Sequence, residues 1–96
     1  MGRYARRVDE NQSAVAANLR ARGYSVAFTH AIGKGFPDFA VGRYGITCLV
    51  ELKDPLKPPS QRKLTDAEAE WHDTWKGCAM VAETADEIVA FMEEQR

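Results

Sequence analysis

The sequence has 96 residues, of which 45% are hydrophobic and 28% are charged, and these proportions are ordinary for one globular unit. No apolar run approaches the roughly 18 residues that a membrane-spanning helix needs, and the Arg-rich start lacks the apolar segment of an export signal. We therefore expect one domain over residues 1–96, a cytoplasmic location and no membrane partner.

The charged residues are unevenly distributed. Thirteen Lys and Arg nearly balance fourteen Asp and Glu, which by itself does not favour a nucleic-acid partner. The acidic residues concentrate between Asp66 and Glu94, whereas basic residues crowd the start of the chain and its middle: Arg3, Arg6, Arg7, Lys34, Arg43, Lys53, Lys57, Arg62 and Lys63. A basic rim on an acidic body can bind phosphate groups, although ordinary solvated surface charge explains any one of these residues equally well.

The two cysteines, Cys48 and Cys78, fall in segments predicted to be buried strands. Neither belongs to a Cys-x-x-Cys or Cys/His spacing of the kind that binds zinc. We expect both to be reduced and to serve as small apolar core residues.

The first predicted element is an amphipathic helix from Asp9 to Arg22, ended by Gly23. Its apolar residues recur at helical spacing and predict a buried stripe of Val8, Val15, Ala16 and Leu19. Asp9 is a suitable N-cap, and Gln12 three residues later can be its partner in a capping box.

A strand is predicted next, from Tyr24 to Thr29, with Val26 and Phe28 pointing inward. The loop from His30 to Phe36 follows, and its glycines indicate a sharp turn rather than a phosphate-cradling Walker loop, which needs a Gly-Lys-Ser/Thr ending. His30 can contact a phosphate or transfer a proton, or it can be structural.

Two strands then form a predicted hairpin, one beginning at Pro37 and the other running from Ile46 to Lys53. A two-residue turn at Tyr44-Gly45 pairs Arg43 with Ile46. Counting outward from that turn places Asp38 directly opposite Glu51. Strand side chains alternate with period two, so Glu51 and Lys53 share one face.

Facing carboxylates repel each other, and a fold normally avoids them unless a cation lies between them. A pair of carboxylates suits Mg²⁺, which also takes water and phosphate oxygens as ligands. Lys53, beside Glu51, can hold an attacking water or offset charge on a phosphate. A surface hairpin with scattered charge is the alternative, but the run from Thr47 to Val50 has the apolar character of a strand buried on both faces.

The stretch from Asp54 to Ser60 contains three prolines and is predicted to be a stiff loop. Thr65 then caps a second helix with Glu68 at the third position, and its packed side is predicted to carry Leu64, Ala67, Trp71 and Trp75. The tryptophans can belong to the core or form platforms on which bases stack. His72 is expected at the surface.

A strand from Ala79 to Ala82 and a helix from Thr84, capped with Glu87, complete the predicted order α-β-β-β-α-β-α. This order indicates an α/β fold in which a small mixed sheet is flanked by helices.

The motif Gly35-Phe36-Pro37-Asp38, followed by Glu51-Leu52-Lys53, resembles the signature of the PD-(D/E)XK nucleases, and its spacing is most similar to their small VRR-NUC branch. The resemblance extends over nearly the whole chain. It implies a restriction-endonuclease-like core and a Mg²⁺- or Mn²⁺-dependent endonuclease acting on DNA. It also implies a homodimer and cleavage of branched DNA such as four-way junctions.

The resemblance also implies roles for individual residues. Asp38, Glu51 and the carbonyl of Leu52 would hold the metal, and Lys53 would orient the attack. Members of this family usually add a Glu from the first helix, where this chain offers Glu10 or Gln12. Helical phase places Gln12 beside the buried stripe and Glu10 on the far side, so Gln12 is our catalytic candidate, with the capping box as its alternative.

DNA would be bound by the basic residues around the site, namely Lys34, Arg43, Lys57, Arg62 and Lys63. The chain departs from the family pattern at Gln12 and at Glu68, where a Gln is frequent. These departures support an alternative function, a catalytically weak or inactive nuclease-fold module that binds nucleic acid. The intact residues Asp38, Glu51 and Lys53 favour the enzyme.

Overall fold

The computed structural model describes residues 10–96, and of Glu10 the backbone only. Its helices and strands are, in chain order, α1 (Glu10–Ala21), β1 (Ser25–Phe28), β2 (Phe39–Arg43), β3 (Ile46–Leu52), α2 (Asp66–Thr74), β4 (Ala79–Ala82) and α3 (Ala85–Glu94). This is the predicted order, interrupted only by short 3-10 turns at His30–Ile32 and Pro59–Gln61. No helix within the described part of the chain is long and apolar enough to cross a membrane.

The four strands form one mixed sheet in the order β1-β2-β3-β4. Strand β2 pairs antiparallel with both β1 and β3, whereas β4 pairs parallel with β3. Two parallel strands cannot be joined by a tight turn, so the chain between β3 and β4 makes a crossover that contains α2. The expected small mixed sheet with flanking helices is therefore confirmed.

One face of the sheet carries the core. Helix α1 contacts β1 and α3, and α3 contacts β3 and β4. The predicted stripe of α1 is confirmed at the three described positions, because Val15, Ala16 and Leu19 are buried against residues such as Val41, Val50, Ile88 and Met92. Gly23, with φ of 94°, ends the helix as expected. The predictions for Arg3, Arg6, Arg7, Val8 and Asp9 lie outside the described residues.

The opposite face of the sheet is only partly covered. In β3, Cys48 and Val50 are buried on the core side, but Leu49 is half-buried and Thr47 is exposed. The prediction that this run is buried on both faces is therefore wrong at Thr47. The start of α2 covers this second face near Glu51, whereas the face is exposed to solvent towards the hairpin turn.

The start of β2 and the burial of Phe28 differ from the prediction. Strand β2 begins at Phe39 rather than at Pro37, because proline has no backbone N–H to donate to a ladder. The carbonyl of Pro37 instead accepts from the hydroxyl of Thr29 at 2.8 Å. Phe28, expected inside, is 36% exposed, since β1 is the edge strand of the sheet; its ring still packs edge-on against Phe39 at 5.5 Å.

The prediction of two reduced cysteines is wrong, because Cys48 and Cys78 form a disulfide with their Cα atoms 4.7 Å apart. The parallel register pairs Leu49 with Ala79, and this pairing brings the preceding residue of each strand side by side. Thirty residues separate the two cysteines in sequence, so no local pattern indicated the contact.

Helix α2 has the predicted capping box but not the predicted burial. The side chain of Thr65 accepts from the N–H of Glu68, and the Glu68 carboxylate accepts from the N–H of Thr65. No residue of α2 is buried. Trp71 is half-buried and Trp75 is 42% exposed, so of the two roles considered the core one is wrong, and the base-stacking one stays a prediction. Their rings stack at 4.8 Å, and Phe36 meets Trp71 edge-on at 5.2 Å.

Candidate active site

The hairpin places two carboxylates opposite each other, as predicted. Tyr44 and Gly45 have φ of 58° and 75°, which is the left-handed geometry of a two-residue hairpin turn. Arg43 pairs with Ile46, and the register continues to Phe39 opposite Val50. One step further along the same register, Asp38 lies opposite Glu51, and the Asp38 N–H donates to the Val50 carbonyl at 3.0 Å.

The carboxylate of Asp38 is held by the backbone of β3. Its Oδ2 accepts from the N–H of Leu52 at 2.8 Å. In a strand the N–H and the carbonyl of one residue point to the same side, so the Leu52 carbonyl also faces the Asp38 end of β2. Burial raises the pKa of Asp38, and the Leu52 hydrogen bond partly offsets that rise.

Glu51 is the only charged residue that is buried within the described part of the chain, and it is 4% exposed. Burial, together with the negative charges of Asp38 and Glu68, raises the pKa of Glu51 to about 9. Without a bound cation Glu51 therefore holds a proton at neutral pH. A site that must protonate one of its own carboxylates lacks compensating positive charge.

Lys53 supplies part of that charge. Its Nζ lies 3.5 Å from Oε2 of Glu51 and 2.8 Å from Oε1 of Glu68. Burial acts to lower the pKa of Lys53, but the hydrogen bond to Glu68 and the charge of Glu51 outweigh it and raise that pKa. Lys53 is therefore a cation and a hydrogen-bond donor at neutral pH.

Glu68 is a site residue whose role the sequence left open. Burial acts to raise its pKa, yet the Lys53 ammonium and the Thr65 N–H stabilise the ionised form and lower it. The capping pattern Thr-x-x-Glu predicted the helix terminus but gave no sign that the same carboxylate would reach Lys53. His72, expected at the surface, is half-buried one turn later, and burial lowers its pKa.

The turn before Asp38 fixes the position of α2 beside the site. Gly35 has φ of 82°, and a Cβ at this residue would lie 2.6 Å from the carbonyl carbon of Ala67. Only glycine permits both that backbone conformation and that approach. The first turn of α2, which includes Glu68, therefore packs directly on the backbone that leads to Asp38.

A polar cavity of about 200 Å³ opens at these residues. Its walls include Asp38, Glu51, Leu52, Lys53, Gln12, Asn11, Asp54, Lys57 and Gln61. Gln12 thus lines the same cavity as the carboxylate pair, and its catalytic role stays a prediction. The side chain of Glu10 lies outside the described residues, so its predicted orientation stays a prediction.

The basic residues expected around the site do not all lie there. Lys57 lines the cavity, Lys34 is exposed on the turn that carries Gly35, and Lys63 is exposed near the start of α2. The half-buried Arg62 pairs with Glu83 at 3.4 Å.

Arg43 does not lie on this rim, which corrects the sequence-based expectation. Asp38 directly precedes β2, whereas Arg43 is the last residue of β2 and lies beside the hairpin turn. There its guanidinium stacks over Tyr24 and Tyr44 at 5.0 and 4.6 Å from their ring centroids and donates to the Arg22 carbonyl.

The oxygen donors of the site suit a hard divalent ion that takes only a few of its ligands from the protein. Among residues 10–96, no group of three or more His, Cys, Asp or Glu side chains is arranged to hold a metal. The site offers the Asp38 and Glu51 carboxylates and the Leu52 carbonyl. Mg²⁺ commonly takes one or two carboxylates and completes its shell with water and phosphate oxygens, so the residues present fit such an ion.

Comparison with solved structures finds a match described as a "VRR_NUC domain", with a TM-score of 0.61 and 20% sequence identity. The match covers 88% of this chain and 92% of the other. No protein-family model matches the sequence, and no curated protein matches it. The chain thus has the fold of a VRR_NUC domain, which confirms the resemblance at the level of the fold.

Proposed function

We propose that this chain is a metal-dependent endonuclease that hydrolyses phosphodiester bonds in DNA. The observation that carries the proposal is the facing pair of Asp38 and Glu51, with Lys53 beside it, in the wall of a polar cavity. The likeness to a structure described as a VRR_NUC domain agrees with this chemistry.

The proposed cofactor is Mg²⁺ or Mn²⁺, held by Asp38, Glu51 and the Leu52 carbonyl. When bound, such an ion lowers the pKa of a coordinated water and polarises the scissile phosphate. Asp38 is already oriented by the Leu52 N–H, whereas Glu51 would have to release its proton to solvent to bind the ion. Gln12 lines the same cavity and can add a carbonyl oxygen or hold a water.

Lys53 would act as a fixed positive charge. Because its pKa is raised, it remains protonated at neutral pH and cannot serve as a general base. Its ammonium group can instead orient the attacking water and stabilise charge that develops on the phosphate. The cationic side chains on the cavity rim and the neighbouring surface would bind the DNA backbone, namely Lys34, Lys57, Arg62 and Lys63.

Cleavage of defined DNA substrates tests the proposal. Linear duplex, flap and four-way junction DNA are incubated with the protein and Mg²⁺, Mn²⁺ or a chelator, with Asp38→Asn as the inactive control. We expect cleavage with either metal and none with the chelator or the variant. Preferential cutting of four-way junctions would support the branched substrate. Binding without cleavage in every condition would favour the alternative, a nuclease-fold module that only holds nucleic acid.

We also propose that the active form is a homodimer, as the resemblance implies. Sedimentation equilibrium with and without junction DNA measures the assembly directly. A mass of one chain at every concentration, in a preparation that cleaves DNA, would overturn this part of the proposal and leave the nuclease assignment intact.

A further inference from the structure

A single oxygen of the Glu68 carboxylate contacts both Lys53, which directly follows β3, and the N-terminus of α2. Oε1 of Glu68 accepts from the N–H of Thr65 at 2.9 Å and lies 2.8 Å from Nζ of Lys53. The hydroxyl of Thr65 in turn accepts from the N–H of Glu68 at 3.2 Å. The backbone N–H of Thr65 therefore fixes the oxygen that binds the lysine.

The contact is shielded from solvent, unlike most ion pairs of a protein surface. The side chains of Lys53 and Glu68 are 13% and 19% exposed. A free lysine side chain samples many rotamers, and fixing one of them costs conformational entropy. Glu51 is the other carboxylate near Nζ, but it is more distant, at 3.5 Å. Glu68 is thus the group that holds the ammonium in place.

We propose that Glu68 is a positioning residue that acts through Lys53, holding its ammonium group beside Glu51 for the reaction. This inference rests on the proposed nuclease function. The role requires an acceptor oxygen at this position rather than a negative charge, because the Oε1 of a glutamine can accept from the same two donors. Glutamine at this position should therefore preserve the role, and alanine should abolish it.

Steady-state cleavage of the best DNA substrate tests the role in catalysis. We expect Glu68→Ala to lower kcat by about tenfold or more with a change in KM below about twofold, and Glu68→Gln to restore most of kcat. In a Lys53→Ala background, Glu68→Ala should cause no further loss, because the residue through which it acts is gone. A further loss in that background, or equal impairment of the Gln and Ala variants, would overturn the proposal.

Thr65→Ala is the matched control for helix stability. It removes the capping hydroxyl but keeps the backbone N–H that donates to Glu68, so it weakens the same helix terminus without removing the lysine contact. We expect it to lower the urea midpoint while kcat stays close to that of the unaltered protein. A fall in kcat as large as that of Glu68→Ala would show that Glu68 matters only as a cap.

A double-mutant cycle in urea, with chelator present, tests the contact without catalysis. The midpoint shift of the Lys53→Ala, Glu68→Ala double variant should be smaller than the sum of the two single shifts. Additive shifts would overturn the inference whatever the cleavage results. If the unaltered protein cuts no DNA, the proposed function is overturned. Midpoint shifts that are not additive would then still show that Glu68 and Lys53 interact, so the two outcomes can be distinguished.

Discussion

The backbone N–H of Leu52 donates to the carboxylate of Asp38 across 2.8 Å. The hydrogen bond joins the residue before β2 to the last residue of β3, at the end of the hairpin where Asp38 faces Glu51. It fixes the orientation of the Asp38 carboxylate through Oδ2. A residue proposed to bind metal therefore also satisfies a buried backbone donor, and its variants should separate the two roles.

Asp38→Asn should abolish cleavage and leave the metal-free protein as stable as before or more stable. The amide oxygen can still accept from Leu52, while the repulsion between Asp38 and the ionised Glu68 is removed. Asp38→Ala should be equally inactive but less stable than Asp38→Asn by about 1–3 kcal/mol, because the Leu52 N–H loses its acceptor. Urea unfolding of both variants measures the difference. Equal stability of the two would mean that the hydrogen bond contributes nothing.

Stability in the absence of metal should fall as the pH rises from about 5 to about 9. The pKa of Glu51 is about 9 in the folded protein and near 4.5 in an unfolded chain, so over this range the native state binds the additional proton. The free energy of unfolding then decreases with pH, and the raised pKa of Asp38 acts in the same direction. The lowered pKa of Glu68 acts at lower pH, and the raised pKa of Lys53 acts at higher pH. The lowered pKa of His72 acts in the opposite direction around pH 6.5, so the fall is steepest above that pH.

Urea midpoints at several pH values, measured with chelator, test this dependence. Glu51→Gln should flatten the curve, since glutamine is neutral throughout. Glu94→Gln, at an exposed position of α3, serves as the control and should leave the slope unchanged. Unchanged pH dependence in Glu51→Gln would place the titrating group elsewhere.

Lys53→Ala should lower the cleavage rate by about 10²- to 10³-fold and change DNA affinity only modestly, as expected when a group stabilises charge mainly in the transition state. Lys57→Ala, on the wall of the same cavity, should show the opposite balance, with weaker and less salt-dependent DNA binding and a smaller effect on the rate. Single-turnover rates and binding titrations at two salt concentrations distinguish them. Parallel losses of binding and rate in Lys53→Ala would make that lysine a plain phosphate contact.

Gly35→Ala should disturb the site more than Gly33→Ala. Both glycines have positive φ, so each substitution introduces backbone strain of about 1–2 kcal/mol. Only at Gly35 would the new Cβ also collide with the backbone of α2, whereas at Gly33 no atom lies within 4 Å. We expect Gly35→Ala to displace Glu68 and lose most activity, and Gly33→Ala to retain it. Similar activity in the two variants would show that α2 adapts without affecting the site.

Gln12→Glu should tighten Mg²⁺ binding, because it adds a carboxylate to the cavity that Asp38 and Glu51 line. Ser13→Glu adds the same charge at the next residue of α1, which is exposed, and should have little effect. Calorimetric titration with Mg²⁺ compares the two variants, and activity at low Mg²⁺ provides a second measurement. If Gln12→Glu binds Mg²⁺ no more tightly than the unaltered protein, Glu10 remains the candidate metal-site residue of the first helix.

The sequence by itself determined the local geometry of the site. The two-residue turn at Tyr44-Gly45 and the period-two alternation of strands were sufficient to place Asp38 opposite Glu51, because hairpin register depends only on the turn and the count from it. The sequence also determined the capping box at the start of α2, since Thr65 and Glu68 lie within one helical turn of each other. The resemblance then extended these local features to the fold that the structural comparison confirms.

Only the tertiary structure decided which distant segments meet. The contact between Lys53 and Glu68 and the disulfide between Cys48 and Cys78 both depend on the crossover that returns the chain to β4, and no turn sets the register of parallel strands. Trp75 has the spacing of a buried helix face, yet it is exposed. Periodicity identifies an apolar face, but whether that face is buried depends on what the rest of the chain packs against it.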